Sequence, residues 1–113
     1  MHEYAIAENI IALVLEEAKS AGANKVIIIN IIIGEISSVI PESVELYFEP
    51  LSKDTLLEGA RLNFINVYAE LKCNQCGKIY LKMKHGIECP DCRGVGVFTE
   101  KGREFYVESI EVD

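Results

Sequence analysis

Four cysteines and one histidine are the residues whose spacing suggests chemistry. Cys73-Asn-Gln-Cys76 and Cys89-Pro-Asp-Cys92 form two C-x-x-C knuckles with twelve residues between them. Two residues between thiolates let the chain turn so that both sulfurs face one ion. A pair of such knuckles completes a tetrahedral four-sulfur shell, the coordination of closed structural zinc sites. Gly77 and Pro90 stand where the turns need them. A saturated shell leaves no open position for water or substrate, so the site is expected to hold structure and not to catalyse. The same four sulfurs also admit iron, as in a rubredoxin-like electron carrier, which colour and a reversible reduction potential would reveal. His85, between the knuckles, reads as a solvent-facing loop residue.

His2 is the second place where chemistry is written locally. At position two an imidazole, the amide nitrogen joining residues 1 and 2, and the Met1 amine can close two adjacent chelate rings on one ion. Such a planar nitrogen set suits Ni(II) or Cu(II). Glu3 follows, and its amide or carboxylate could fill the remaining position. The same residues also fit a plain helix start, with Glu3 serving only the helix dipole.

The elements that must position these groups follow from periodicity. Ile6, Ile10, Leu13, Val14 and Ala18 recur at spacings of three and four, so residues 4–21 read as an amphipathic helix closed by Gly22. No Ser, Thr, Asp or Asn precedes it, which leaves its first amides without a side-chain acceptor. The Ile-rich run 25–33 reads as a central strand covered on both faces. Pro41 opens a second helix to about Glu49, with Val44, Tyr47 and Phe48 inward and Pro50 as its stop. Further strands are expected over 60–69 and 104–112. The fold class is therefore α+β: a small three-stranded sheet with two helices, carrying an inserted zinc-ribbon module.

Composition marks the insert. Residues 70–97 hold all four cysteines and five basic against three acidic side chains, a net of +2, while the remainder carries six against fifteen, a net of −9. The organisation read from this shift is an α/β domain of residues 1–69 and 98–113 interrupted by a ribbon of residues 70–97. The insert is too short and polar to fold by burial alone, so metal-binding free energy should be its folding free energy. With a formal charge of −7 the chain as a whole is repelled by phosphate backbones. A zinc ribbon that touches RNA or DNA stays open, though the ribbon's charge is small and only Tyr80 offers a stacking aromatic. The longest apolar run falls far short of the roughly 20 residues that a membrane span needs, and the first residues lack the basic charge of an export signal. The expected compartment is the cytoplasm, where four cysteines ask for a metal before disulfides.

Met1-His2-Glu3, the amphipathic helix, Ile33-Gly34-Glu35 closing a strand, Glu58-Gly59-Ala60, and two knuckles ahead of a final strand occur in one order over essentially the whole chain. In this the sequence resembles the HypA/HybF family of nickel-insertion proteins of hydrogenase maturation. The resemblance implies a metallochaperone, not an enzyme. It implies Ni2+ at the N-terminus, with His2 as principal ligand and Met1 and Glu3 assisting. It implies structural Zn2+ on Cys73, Cys76, Cys89 and Cys92. It also implies as partners the maturation GTPase HypB and the large subunit of a nickel-iron hydrogenase; whether the client is instead a urease, and whether the chain pairs with itself as a dimer, the sequence leaves open.

Overall fold

The computed structural model describes residues 2–113; Met1 lies outside the described residues. The elements run α1 (Glu3–Ser20), β1 (Val26–Gly34), α2 (Pro41–Ser52), β2 (Arg61–Val67), β3 (Glu70–Cys73), β4 (Ile79–Leu81), α3 (Lys82–His85), β5 (Gly96–Phe98) and β6 (Phe105–Val112). They form two three-stranded sheets, ordered β2-β1-β6 and β4-β3-β5, in two compact units. The mixed α+β class stands; a second small sheet and a third, one-turn helix are added to the expected elements.

The first unit comprises residues 2–32, Ser38–Ile65 and Tyr106–Asp113. α1 buries Ala7, Ile10, Ile11, Val14 and Ala18, so the inward stripe is rotated from the expected one. Leu13 is 48% exposed. Two stripes of this helix are apolar, and only tertiary packing, including that against α2, decides which one is covered. The helix ends as its sequence asks: Gly22 sits at φ 67°. There Ala23 N–H donates to Ala18 O at 3.0 Å and Gly22 N–H to Lys19 O at 3.1 Å, the paired bonds of a Schellman stop.

β1 is central, as its apolar residues on both faces require, with Ile29 and Ile31 fully buried. Asn30 interrupts that run without an orphaned amide. Its Oδ1 accepts from Asn63 Nδ2 on β2 at 2.8 Å, and its Nδ2 donates to Ser109 Oγ on β6 at 3.0 Å. A polar row thus crosses all three strands and satisfies a group whose unpaired burial would cost about 1–3 kcal/mol. α2 continues through Pro50 to Ser52, three residues beyond the expected end at Glu49. Proline removes only the bond to the carbonyl of Leu46, a residue that is 70% exposed. Val44 and Phe48 point inward, whereas Tyr47 is 40% exposed and meets the edge of the Tyr4 ring at 5.5 Å.

The second unit comprises Ile33–Ser37 and Asn66–Phe105. β3 pairs antiparallel with β4 and with β5, placing Leu71 opposite Tyr80 and Phe98. The inner face of this sheet packs Leu71, Tyr80 and Phe98 against Cys73 and Cys89. This core is small, as the composition of the insert foretells. Tyr80 is buried, donates to Ile87 O at 2.6 Å, and lies so close under Gly96 that any side chain there would overlap its hydroxyl.

Candidate metal centre

Each knuckle is a local chain feature. In the first, Cys73 N–H donates to Lys78 O at 2.9 Å and Gly77 N–H donates to Cys73 O at 3.2 Å. The second repeats the pattern: Cys89 N–H donates to Gly94 O at 2.8 Å and Arg93 N–H to Cys89 O at 2.9 Å. The fourth residue after each leading cysteine has positive φ, 78° at Gly77 and 63° at Arg93. The second knuckle therefore carries backbone strain that glycine spares the first. Gly94 packs on the site itself, since an added Cβ would lie 3.1 Å from Cys73 Sγ.

The ribbon sheet brings the two knuckles together. All four sulfurs lie within 4.8 Å of one another, with Cys73 and Cys92 at 3.3 Å and Cys76 and Cys89 at 3.6 Å. Cys73 and Cys89 are buried; Cys76 and Cys92 are exposed. The N–H groups of Cys76 and Gln75 point at Cys73 Sγ from 3.5 and 3.3 Å. Those two amides lower the Cys73 thiol to about 6, against the push of burial. On Cys92 the Gly94 amide pulls downward, but hydrogen bonding to Cys73, burial and the other two thiols win and push it up to about 12. The amides of the first knuckle thus hold one thiolate in advance, whereas the thiols of Cys76 and Cys92 are pushed up by their crowded sulfur neighbours and by burial. A convergent, closed set of four soft donors fits zinc in both number and type. With a zinc ion bound there, the two knuckles would be cross-linked into one unit.

The N-terminal donors are placed differently. His2 is exposed, stands at the head of α1 with φ −96° and ψ 79°, and makes no side-chain cap. Its carbonyl accepts from Ile6 N–H at 3.1 Å, the first bond of the helix. Glu3 Oε2 is 3.4 Å from Ile40 N–H at the head of α2. Apart from the four cysteines, no group of three or more His, Cys, Asp or Glu donors converges among the described residues. The donors next to His2 in the chain are Glu3, the neighbouring backbone nitrogens and Met1, which lies outside the described residues. His85 is exposed at the end of α3, its ring meeting the edge of Tyr80 at 6.1 Å, and stands apart from the sulfur cluster as expected.

Glu35 is the residue whose role the sequence did not disclose. Its Oε1 accepts from the buried Ala69 N–H at 2.9 Å and its Oε2 pairs with Lys82 Nζ at 3.6 Å. In the same strip Lys82 N–H donates to Ala69 O at 3.1 Å and Ile36 N–H to Gly102 O at 2.8 Å. Gly34 lies against the Gly102 backbone, with no room for a side chain. The only local signal was the Ile-Gly-Glu end of β1, which says that the chain turns there but not what the carboxylate meets.

A family model described as "Hydrogenase/urease nickel incorporation, metallochaperone, hypA" matches residues 1–112. The chain is 40% identical over 114 residues to the hydrogenase maturation factor HypA of Caldanaerobacter subterraneus, covering all of both chains. It is also 40% identical to the factor of that name from Dehalococcoides mccartyi, covering all of this chain and 95% of that one. Among solved structures it is similar to the Ni metallochaperone HypA from Helicobacter pylori, with TM-score 0.64 and 27% identity over 99% of this chain and 97% of that one. A second solution structure, of a HypA protein, aligns with TM-score 0.68 and 28% identity over 99% and 96%.

Proposed function

The chain belongs to the HypA family of metallochaperones for nickel incorporation into hydrogenase and urease, and from that premise we propose that it takes up Ni(II) at its leading end and passes it on for maturation of a nickel-iron hydrogenase. The family is one of metallochaperones, not of enzymes. His2 is the principal nickel ligand in this reading, with the Met1 amine and the Glu3 amide or carboxylate completing a nitrogen-rich set. Cys73, Cys76, Cys89 and Cys92 hold a structural zinc. The α/β domain of residues 1–69 and 98–113 presents the nickel, and residues 70–97 form the ribbon. The delivery partners are the maturation GTPase HypB and the hydrogenase large subunit, in the cytoplasm. No helix is long and apolar enough to cross a membrane among the described residues.

The observation that supports this most directly is the bare start of α1. His2 is exposed and caps nothing, so its imidazole and the amides beside it are free of competing bonds that a metal would have to break. A cargo ion must also leave. Imidazole and terminal amine titrate near 6.5 and 7.7–8.0 in reference peptides, so protons compete with the metal and nickel affinity falls as pH drops through about 8 to 6. Four thiolates hold their ion more firmly than such a set. The sorting is by donor chemistry: sulfur retains zinc and the nitrogen terminus releases nickel.

Isothermal titration with nickel on the zinc-loaded chain tests the reading. His2→Ala is expected to abolish nickel binding with zinc content unchanged, and a short extension of the N-terminus, which turns the amine into a peptide, is expected to weaken it. Unchanged nickel affinity in His2→Ala would refute the site.

A further inference from the structure

The four sulfurs are not equivalent, and their close contacts run between the knuckles. The leading cysteine of each motif, Cys73 or Cys89, is buried, and the closing one, Cys76 or Cys92, is exposed. Cys92 Sγ touches Cys73 Sγ at 3.3 Å and Cys76 Sγ touches Cys89 Sγ at 3.6 Å. Each of these contacts joins an open sulfur of one knuckle to a covered sulfur of the other. From within its own knuckle Cys73 Sγ instead receives N–H groups, of Gln75 at 3.3 Å and Cys76 at 3.5 Å. Groups beside the sulfurs also hold the knuckles face to face. Asn74 N–H donates to Val95 O at 3.1 Å, and Lys78 Nζ pairs with Asp91 at 3.4 Å.

An open sulfur that a small oxidant can reach, with a second sulfur already in contact behind it, is the arrangement from which disulfides form. We propose, on the zinc reading of this shell given above, that the four cysteines are also a site of reversible oxidation: a peroxide closes Cys76–Cys89 and Cys73–Cys92 disulfides and so exchanges the structural zinc for covalent cross-links.

An electron pair on Cys76 Sγ attacks one peroxide oxygen, the O–O bond breaks, and the departing hydroxide takes a proton to become water. Cys76 is left as a sulfenic acid. Cys89 Sγ then attacks the Cys76 sulfur, the S–O bond breaks, and a second hydroxide is protonated to water. Cys92 and Cys73 repeat the sequence. Four thiolates give up four electrons, two peroxides accept them, and four protons complete four waters. Sulfurs tied in disulfides no longer carry the charge that holds a cation, so zinc leaves. The new bonds join the same two loops that the metal shell joins, so the small core of Leu71, Tyr80 and Phe98 keeps its cover. Disulfides within each knuckle would also release zinc, but they would leave the loops unjoined and that core open.

Hydrogen peroxide added to the zinc-loaded chain tests this, with a chromogenic chelator to count the zinc released. One ion should appear for every two peroxides consumed, and a dithiol reductant with added zinc should restore the loaded protein. Trypsin cuts after Lys72, Lys78, Lys84 and Arg93, so Cys73 and Cys76 leave on residues 73–78 and Cys89 and Cys92 on residues 85–93. Those two peptides should travel as one species, four hydrogens lighter than their sum, and part on reduction. Fragmentation between Asn74 and Gln75 should then assign Cys76 to Cys89 and Cys73 to Cys92. The Asn74 amide should exchange nearly as slowly in the oxidised, zinc-free chain as in the loaded one, and at least about tenfold faster once a chelator strips the reduced chain. Zinc that stays bound under peroxide would overturn the proposal. So would separate peptides each two hydrogens lighter, sulfinic or sulfonic acids in place of disulfides, or an oxidised ribbon that exchanges as fast as the stripped one. A chain that takes up no zinc at all would instead overturn the zinc reading, and the peptide map would still decide the pairing.

Discussion

Replacing Glu35 separates a hydrogen-bond acceptor from a charge. Glu35→Ala strips the buried Ala69 N–H of its acceptor, and a buried donor left unsatisfied costs about 1–3 kcal/mol. It also removes the Lys82 pair, but at 3.6 Å, with side chains 40% and 26% exposed, that pair adds only about 0.5 kcal/mol. The expected loss is therefore about 2 kcal/mol for the alanine variant. Glu35→Gln keeps an oxygen facing Ala69 and gives up mainly the charge, so it should lose less than about 1 kcal/mol. Amide hydrogen exchange at Ala69 in the zinc-loaded protein is the assay, with thermal unfolding alongside. Exchange should rise about thirtyfold in Glu35→Ala, the factor that 2 kcal/mol implies, and only a few-fold in Glu35→Gln. Added salt should shrink the small ionic share and leave the large one. If glutamine does as much damage as alanine, charge and not acceptance holds the segment, and the reasoning fails.

Zinc uptake should release about one proton more per ion well below pH 6 than well above it, because Cys73, held at about 6, is already ionised above that value while Cys92, pushed up to about 12, gives up its proton at either pH. Calorimetry in buffers of different ionisation enthalpy counts them, and a release that does not change across pH 6 would refute the assignment of the first thiolate. Gly77→Ala should cost about 1 kcal/mol by strain alone, since φ is 78° and nothing lies within 4 Å of the new methyl; a zinc-loaded melting temperature equal to the wild type's would contradict this. Gly96→Ala should be far worse, because the methyl overlaps the Tyr80 hydroxyl, and zinc retention against a chelator should fall with it. Tyr80→Phe loses the 2.6 Å bond to Ile87 O and should cost about 1 kcal/mol in denaturant unfolding.

The sequence by itself determined whatever is encoded within a turn or two of chain. The knuckles are such features: their bonds link residues four and five apart, so the C-x-x-C spacing already contained the metal shell. The Schellman end of α1 and its uncapped start are equally local. The convergence of the two knuckles needed only the twelve-residue spacer to return. What the sequence left open was decided by contacts between distant segments. Which of two apolar stripes α1 buries depends on the partner that covers it, so Leu13 faces water and Ile11 does not. Pro50 stays inside α2 because the carbonyl it forsakes belongs to an exposed residue, a fact of packing and not of propensity. Asn30 and Glu35 find partners 33 to 79 residues away. No periodicity records such pairings, because each side chain is individually compatible with solvent and becomes structural only when the sheets bring its partner within hydrogen-bond distance.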